Sequence, residues 1–229
     1  MSDKKKMEES PITKTEIVEG KVDSFLGTYK NILIIIGVAI VALIIVLIII
    51  FKVNNQNLEK SFDQIDKLES TYTEIQAMDK TASDYQTKYD DLKKQLAGLS
   101  QGKKYPALKA QCILATMAYE EKDYDAALKG FLAVYEASKN TYLGSLALTD
   151  AAVVCEDKGD VDKALEYYTK VWDTYGTKAA ESPKALFNQA RLQQKKGDAT
   201  LAKATFQQLI DQFPSSEYAK LAQSVIITL

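Results

Sequence analysis

The side chains able to do covalent or acid–base chemistry in this chain are few and scattered. There is no histidine, which removes the commonest general base at neutral pH and the commonest metal ligand. Ser145 lies in "LGSLALTD", which lacks the G-x-S-x-G frame of a nucleophile elbow, and no imidazole exists to activate it. The two cysteines, Cys112 and Cys155, are too few for a closed zinc site. Neighbouring carboxylates such as Glu120–Glu121 read as solvated helix surface, and "EGK" and "KGD" are too short for a phosphate-binding loop. No catalytic, cofactor-binding or metal-binding constellation emerges, so the expectation is a chain that is not an enzyme and carries no cofactor. Charge is nearly balanced, 29 basic against 31 acidic residues. Arg191 is the only arginine, which argues against recognition of nucleic acid or of phosphorylated small molecules.

With chemistry absent, the elements that carry the side chains become the subject. From Ile32 to Phe51 run twenty uncharged residues, seventeen of them Ile, Leu, Val or Phe. As a helix this segment is about 30 Å long, the thickness of a bilayer's hydrocarbon core. Its side chains favour insertion by about 5–10 kcal/mol in sum. It is too long for a signal-peptide core, and "FKVNNQN" supplies no small-residue cleavage site, so a retained anchor is expected. Lysines flanking the segment tie, Lys14, Lys21 and Lys30 against Lys52, Lys60 and Lys67, and Lys4–Lys6 tips the count. The positive-inside rule then leaves the amino terminus cytoplasmic and the remainder extracytoplasmic. The expected organisation is a tail at 1–30, a transmembrane helix at 31–52, a hairpin or stalk at 53–104 and a helical repeat region at 105–229.

Beyond the span, apolar residues at Leu58, Phe62, Ile65, Leu68, Tyr72, Ile75 and Met78 mark one helix face, and Tyr85, Tyr89, Leu92, Leu96 and Leu99 mark a second. A coiled-coil stalk and a helical hairpin folded onto the later helices both fit; the register slip near Met78 favours the hairpin. From residue 106 the chain repeats. "EEKDYDAALKGFLAVYE", "EDKGDVDKALEYYTKVW" and "QKKGDATLAKATFQQLI" align with Lys122, Gly159 and Gly197 at the turn and Asp123, Asp160 and Asp198 after it. Ala127, Ala164 and Ala202 follow, then Phe131, Tyr168 and Phe206. A left-handed turn residue ends one helix, the aspartate caps the next, and the alanine lets two helices approach. Such units bury their faces only by stacking.

This pattern resembles the tetratricopeptide repeat over 106–214, with Pro214 closing the third unit. The resemblance implies an all-α solenoid, the region before it forming a degenerate unit and a capping helix starting near Ser216. It also implies that first helices line a protein-binding groove. Carried over by register, the groove positions are Lys109, Cys112, Thr116, Tyr119 and Glu120; then Leu146, Thr149, Val153, Glu156 and Asp157; then Lys184, Phe187, Arg191, Gln194 and Lys195. An acidic middle would pass to a basic end, suiting an extended or helical polypeptide rather than a small molecule. The same register puts Cys112 near a helix start on the groove side and Cys155 late in the next helix on the packed side. They are then about 9 Å apart along the axis, so two free thiols are expected.

The layout of short tail, single span, hairpin and three repeats is similar to the YfgM-type ancillary subunit family of the Sec translocon. That resemblance implies a bacterial inner-membrane scaffold whose partners are translocon subunits, exported chains or periplasmic chaperones. "ATFQQLIDQFPSSEYAKLA" equally resembles the repeats of periplasmic cell-division and outer-membrane assembly scaffolds, which implies the alternative of one dedicated envelope partner.

Overall fold

The computed structural model describes the backbone of residues 14–228 and the side chains of residues 27–228. The Lys4–Lys6 cluster that tips the orientation count lies outside the described residues. Regular structure among the described residues is helical throughout, and the chain divides into two compact units, 1–58 and 59–229.

The first unit holds helix α1, which runs Lys14–Gln76, as far as Leu58. All side chains from Ile32 to Phe51 are exposed, the large apolar ones by 40% to 67%. A helix apolar on every side, with no face covered, has no stripe to turn toward a core and no polar face to turn toward water. It is long and apolar enough to cross a membrane.

In the second unit the end of α1 packs with α2 (Tyr85–Leu99) and α3 (Tyr105–Glu120). Ile65, Leu68 and Ile75 of α1 share one buried cluster with Leu92 and Leu96 of α2 and Met117 of α3. The apolar face that a stalk would offer to a second copy is thus covered within the chain. Helices α4 (Tyr124–Ser138), α5 (Tyr142–Asp157), α6 (Val161–Tyr175), α7 (Ser182–Lys195), α8 (Ala199–Gln212) and α9 (Glu217–Ile226) complete the stack, with a short 3-10 turn at Gly176–Lys178.

Local chemistry explains each junction. Lys122, Gly159 and Gly197 adopt φ of +63°, +87° and +89°. The next amide then reaches back to the preceding helix, from Asp123 to Ala118, Asp160 to Cys155 and Asp198 to Gln193. Asp123, Asp160 and Asp198 each accept from the amide three residues on, at 3.1, 3.2 and 3.0 Å, capping α4, α6 and α8. Ala127, Ala164 and Ala202 are fully buried, with Phe131, Tyr168 and Phe206 one turn further on the same face. Gly130 lets α4 pass close to α3: a Cβ there would lie 2.8 Å from that of Ala115. Ser216 caps α9 by accepting from Ala219 at 3.0 Å.

A second repeating device ties successive units. Lys158 pairs with Asp125, Lys196 pairs with Asp162, and Glu121 pairs with Lys93 at 2.6 Å. Each joins the end of a first helix to the second helix of the unit before it. The Glu121–Lys93 pair reverses the signs and uses the same place at the end of the first helix, but its partner lies in the middle of α2, whereas Asp125 and Asp162 lie in the first turns of α4 and α6.

Candidate protein-binding face

First helices stack side by side, and polar contacts between them fix their alignment. Phe62 stacks on Tyr105 at 5.7 Å, Glu69 pairs with Lys109 at 2.7 Å, and Gln76 donates to Glu120 at 2.7 Å. The end of α1 therefore runs parallel to α3, as a first helix of a preceding unit would. Tyr119 of α3 donates to Asp157 of α5. Arg191 of α7 donates to Glu156 of α5 at 2.6 Å, and Lys184 of α7 approaches Asp150 of α5 at 3.9 Å.

These contacts change the reading of the groove positions. Lys109, Tyr119, Glu120, Glu156, Asp157, Lys184 and Arg191 face neighbouring first helices and bind them laterally, so the opposite charges are matched within the molecule. Glu120 also accepts from Tyr72 at 2.8 Å. Thr116 is half-buried and donates to the carbonyl of Cys112. Leu146 and Val153 are half-buried, whereas Gln194 and Lys195 are exposed. Phe187 packs between Phe206 of α8 and Tyr218 of α9, its ring 5.6 and 5.7 Å from theirs, because the capping helix covers it.

Two positions differ outright from the register reading. Cys112 sits in the middle of α3, not near its start, and is 5% exposed inside the core shared by α3, α4 and α5. Burial pushes its thiol up to about 12, with Asp150 adding to this and Lys109 opposing it. Thr149 is fully buried and donates to the carbonyl of Ser145 at 2.9 Å. Both cysteines are free thiols, Cys155 also buried.

Asp150 is not among the residues the register selects, yet it is the most perturbed carboxylate on this face. Burial raises its pKa to about 6; Lys184 opposes the rise and Glu181 adds to it. Its signal in the sequence is a lone charge inside the apolar run "LALTDAAVV". Tyr119 is pushed up to about 12, first by its hydrogen bond to Asp157 and then by burial. Glu69, Tyr72 and Gln76 also escape the register; their signal is the apolar face of α1, which announces a helix needing a neighbour. The face thus presents paired charges, half-buried aliphatic positions and hydroxyls bonded to carboxylates.

Helical hairpins stacked in register with first helices on one face define a repeat scaffold for protein–protein interaction. The family models agree: one described as tetratricopeptide repeat-like domain matches residues 30–171, and one described as tetratricopeptide repeat matches 184–216. The chain belongs to the tetratricopeptide repeat-like domain family. A TPR repeat-containing protein of Treponema pallidum (strain Nichols) is 25% identical over 120 residues, covering 52% of this chain and 49% of that protein. The chain thus spans about half the length of the curated relative it matches. The crystal structure of Podosopora anserina putative kinesin light chain nearly identical TPR-like repeats superimposes with a TM-score of 0.53 at 12% identity, covering 71% of this chain and 84% of that one. A tetratricopeptide repeat protein from Parabacteroides merdae gives 0.53 at 14% identity, covering 72% and 59%. At such identities these structures speak to the fold alone.

Proposed function

We propose that the chain is a single-pass membrane protein whose repeats form an extracytoplasmic scaffold ancillary to the Sec translocon, chaperone-like toward exported chains. The amino terminus is cytoplasmic and the membrane is the bacterial inner membrane. The observation that carries the reading is the segment Ile32–Phe51, exposed and apolar on every side, placed in the chain directly ahead of a protein-binding stack. The family match begins at residue 30 and so takes in that segment with the repeats, which supports treating anchor and scaffold as one design. Anchoring raises the effective concentration of the scaffold at the membrane, so modest affinity for emerging chains suffices. Lysine-rich, nearly neutral composition and the paired polar face suit many partners rather than one tightly matched ligand.

The test is a photo-crosslinking amino acid at Gln194, an exposed first-helix position, in cells, with mass spectrometry of the captured chains. Channel subunits together with many exported proteins support the proposal. One abundant envelope protein instead identifies a dedicated assembly or division scaffold. Capture of cytosolic proteins alone reverses the orientation and overturns the reading.

A further inference from the structure

The connections between units all lie on one edge of the repeat stack. Phe62 stacks on Tyr105, so the chain comes into the stack at the same edge as the α2–α3 connection. Tyr119 near the end of α3 donates to Asp157 at the end of α5, so the starts of these two parallel helices, at Tyr105 and Tyr142, share this edge. Thr141 and Tyr142 share a cavity with Lys178 and Ala179, which joins the α4–α5 connection to the α6–α7 connection.

Chemistry separates this edge from the opposite one. The connecting segments here carry Lys103, Lys104, Lys139 and Lys178 against the single acid Glu181. Lys103, Lys104 and Lys178 are exposed and enter no ion pair among the described residues; Lys139 pairs with Glu136 on the same helix end. The turns at the opposite edge carry Glu121, Asp123, Asp160 and Asp198 with Lys122, Lys158 and Lys196, so their charges nearly balance, and Lys158 and Lys196 are held in ion pairs with Asp125 and Asp162. Phe62, Tyr105 and Tyr142 are exposed by 39%, 45% and 56% on the lysine side. Aromatic rings beside lysines are the composition of a bilayer interface, where the ring sits at headgroup depth and the ammonium meets phosphate.

The cavity on this edge, about 490 Å³, is lined by Lys139, Lys178, Asn140, Thr141, Thr174 and Tyr175. The Tyr175 hydroxyl is buried without a hydrogen-bond partner. Lys139 is held by Glu136 and the Thr141 hydroxyl donates to the Ser138 carbonyl, which leaves the Lys178 ammonium, in no ion pair among the described residues, and the Tyr175 hydroxyl as donors open to a phosphodiester oxygen.

We propose that this edge docks on the membrane through anionic phospholipid headgroups, one of them seated in the cavity between the α4–α5 and α6–α7 connections. The proposal rests on the reading of Ile32–Phe51 as a span. Phe62 is eleven residues beyond Phe51, a chain length of at most about 40 Å, so the residue that enters this edge is tethered to the apolar segment by a short connection. Each lysine set against an anionic lipid surface strengthens docking about fivefold.

The experiment is hydrogen exchange on the full chain in nanodiscs of neutral phosphatidylcholine and in nanodiscs containing anionic phosphatidylglycerol. Amides at 100–108 and 139–146 should exchange several-fold more slowly in the anionic discs, while those at 121–124 and 158–161 stay unchanged. The triple variant Lys103→Glu, Lys104→Glu, Lys178→Glu should lose that protection, with unchanged exchange at 148–156 of α5 showing an intact fold. Equal exchange in the two lipids overturns the docking surface. Protection reproduced in neutral discs by inorganic phosphate also overturns it, because the cavity would then serve a free anion. A chain that elutes apart from the discs refutes the span itself, and the docking falls with it.

Discussion

Arg191 donates to Glu156 at 2.6 Å across 35 residues of sequence, so the chain's only arginine ties α7 to α5. The pair is partly exposed, 39% for Arg191 and 20% for Glu156, so solvent screening reduces its worth. Arg191→Ala should lower stability by about 1 kcal/mol, and Glu156→Gln should then add little. Urea unfolding of the four members of this double-mutant cycle measures the coupling; strictly additive losses would show that the contact contributes nothing.

Lys122 holds the left-handed conformation that Gly159 and Gly197 hold in the later units. Lys122→Gly should raise stability by about 1 kcal/mol, whereas Gly159→Ala and Gly197→Ala should lower it by a similar amount. Thermal unfolding in a mild detergent compares the three, and a destabilised Lys122→Gly protein would contradict the turn argument.

Gly144 has no room for a side chain. A Cβ would lie 2.4 Å from the Ser138 carbonyl oxygen and 2.7 Å from the Tyr175 hydroxyl. Since the first neighbour is backbone, relief requires moving the α4–α5 connection. Gly144→Ala should cost about 2–3 kcal/mol, seen as a lower urea midpoint. A neutral substitution would mean that α4 and α5 separate easily at this end.

Asp150 makes stability depend on pH in a direction opposite to most carboxylates. Its folded pKa of about 6 lies above the value near 3.9 of an unfolded aspartate. Between these values the native state holds the extra proton, so this group's contribution falls as pH rises from about 4 to about 6 and is level above. The stability advantage of Asp150→Asn over the native chain should therefore grow by about 2 kcal/mol between pH 4 and pH 7. Urea titrations at the two pH values decide it, and a constant difference would place the carboxyl in water.

The proposed span predicts a threshold. Its summed preference for the bilayer is about 5–10 kcal/mol, and one lysine at the centre costs about 3. Ile40→Lys alone should leave the protein in the membrane fraction after alkaline carbonate extraction, whereas Ile36→Lys, Ile40→Lys and Ile44→Lys together should release it. Release of the native chain under the same extraction would remove the anchor from the functional reading.

Much of this architecture is present in the sequence because its causes are local. A capping aspartate acts on an amide three residues away, a left-handed turn residue acts on the helix that it ends, and twenty apolar residues are incompatible with water regardless of the rest of the chain. The helix boundaries at Asp123, Asp160, Asp198 and Ser216 are thus legible directly. The candidate face is not, because a side chain's exposure depends on neighbours that arrive from about one repeat away. Successive helix positions differ by about 100° around the axis, so a one-residue offset in register carries a side chain from groove to core. Thr149, selected for the face by register, is buried in the core, while the adjacent Asp150 lies against Lys184. Lateral pairing of Tyr119 with Asp157 and of Arg191 with Glu156 likewise converts apparent partner-binding charges into internal fastenings. Sequence determined the repeating unit through bonds that close within a few residues; only the stacking of whole units decided which side chains were left to meet another molecule.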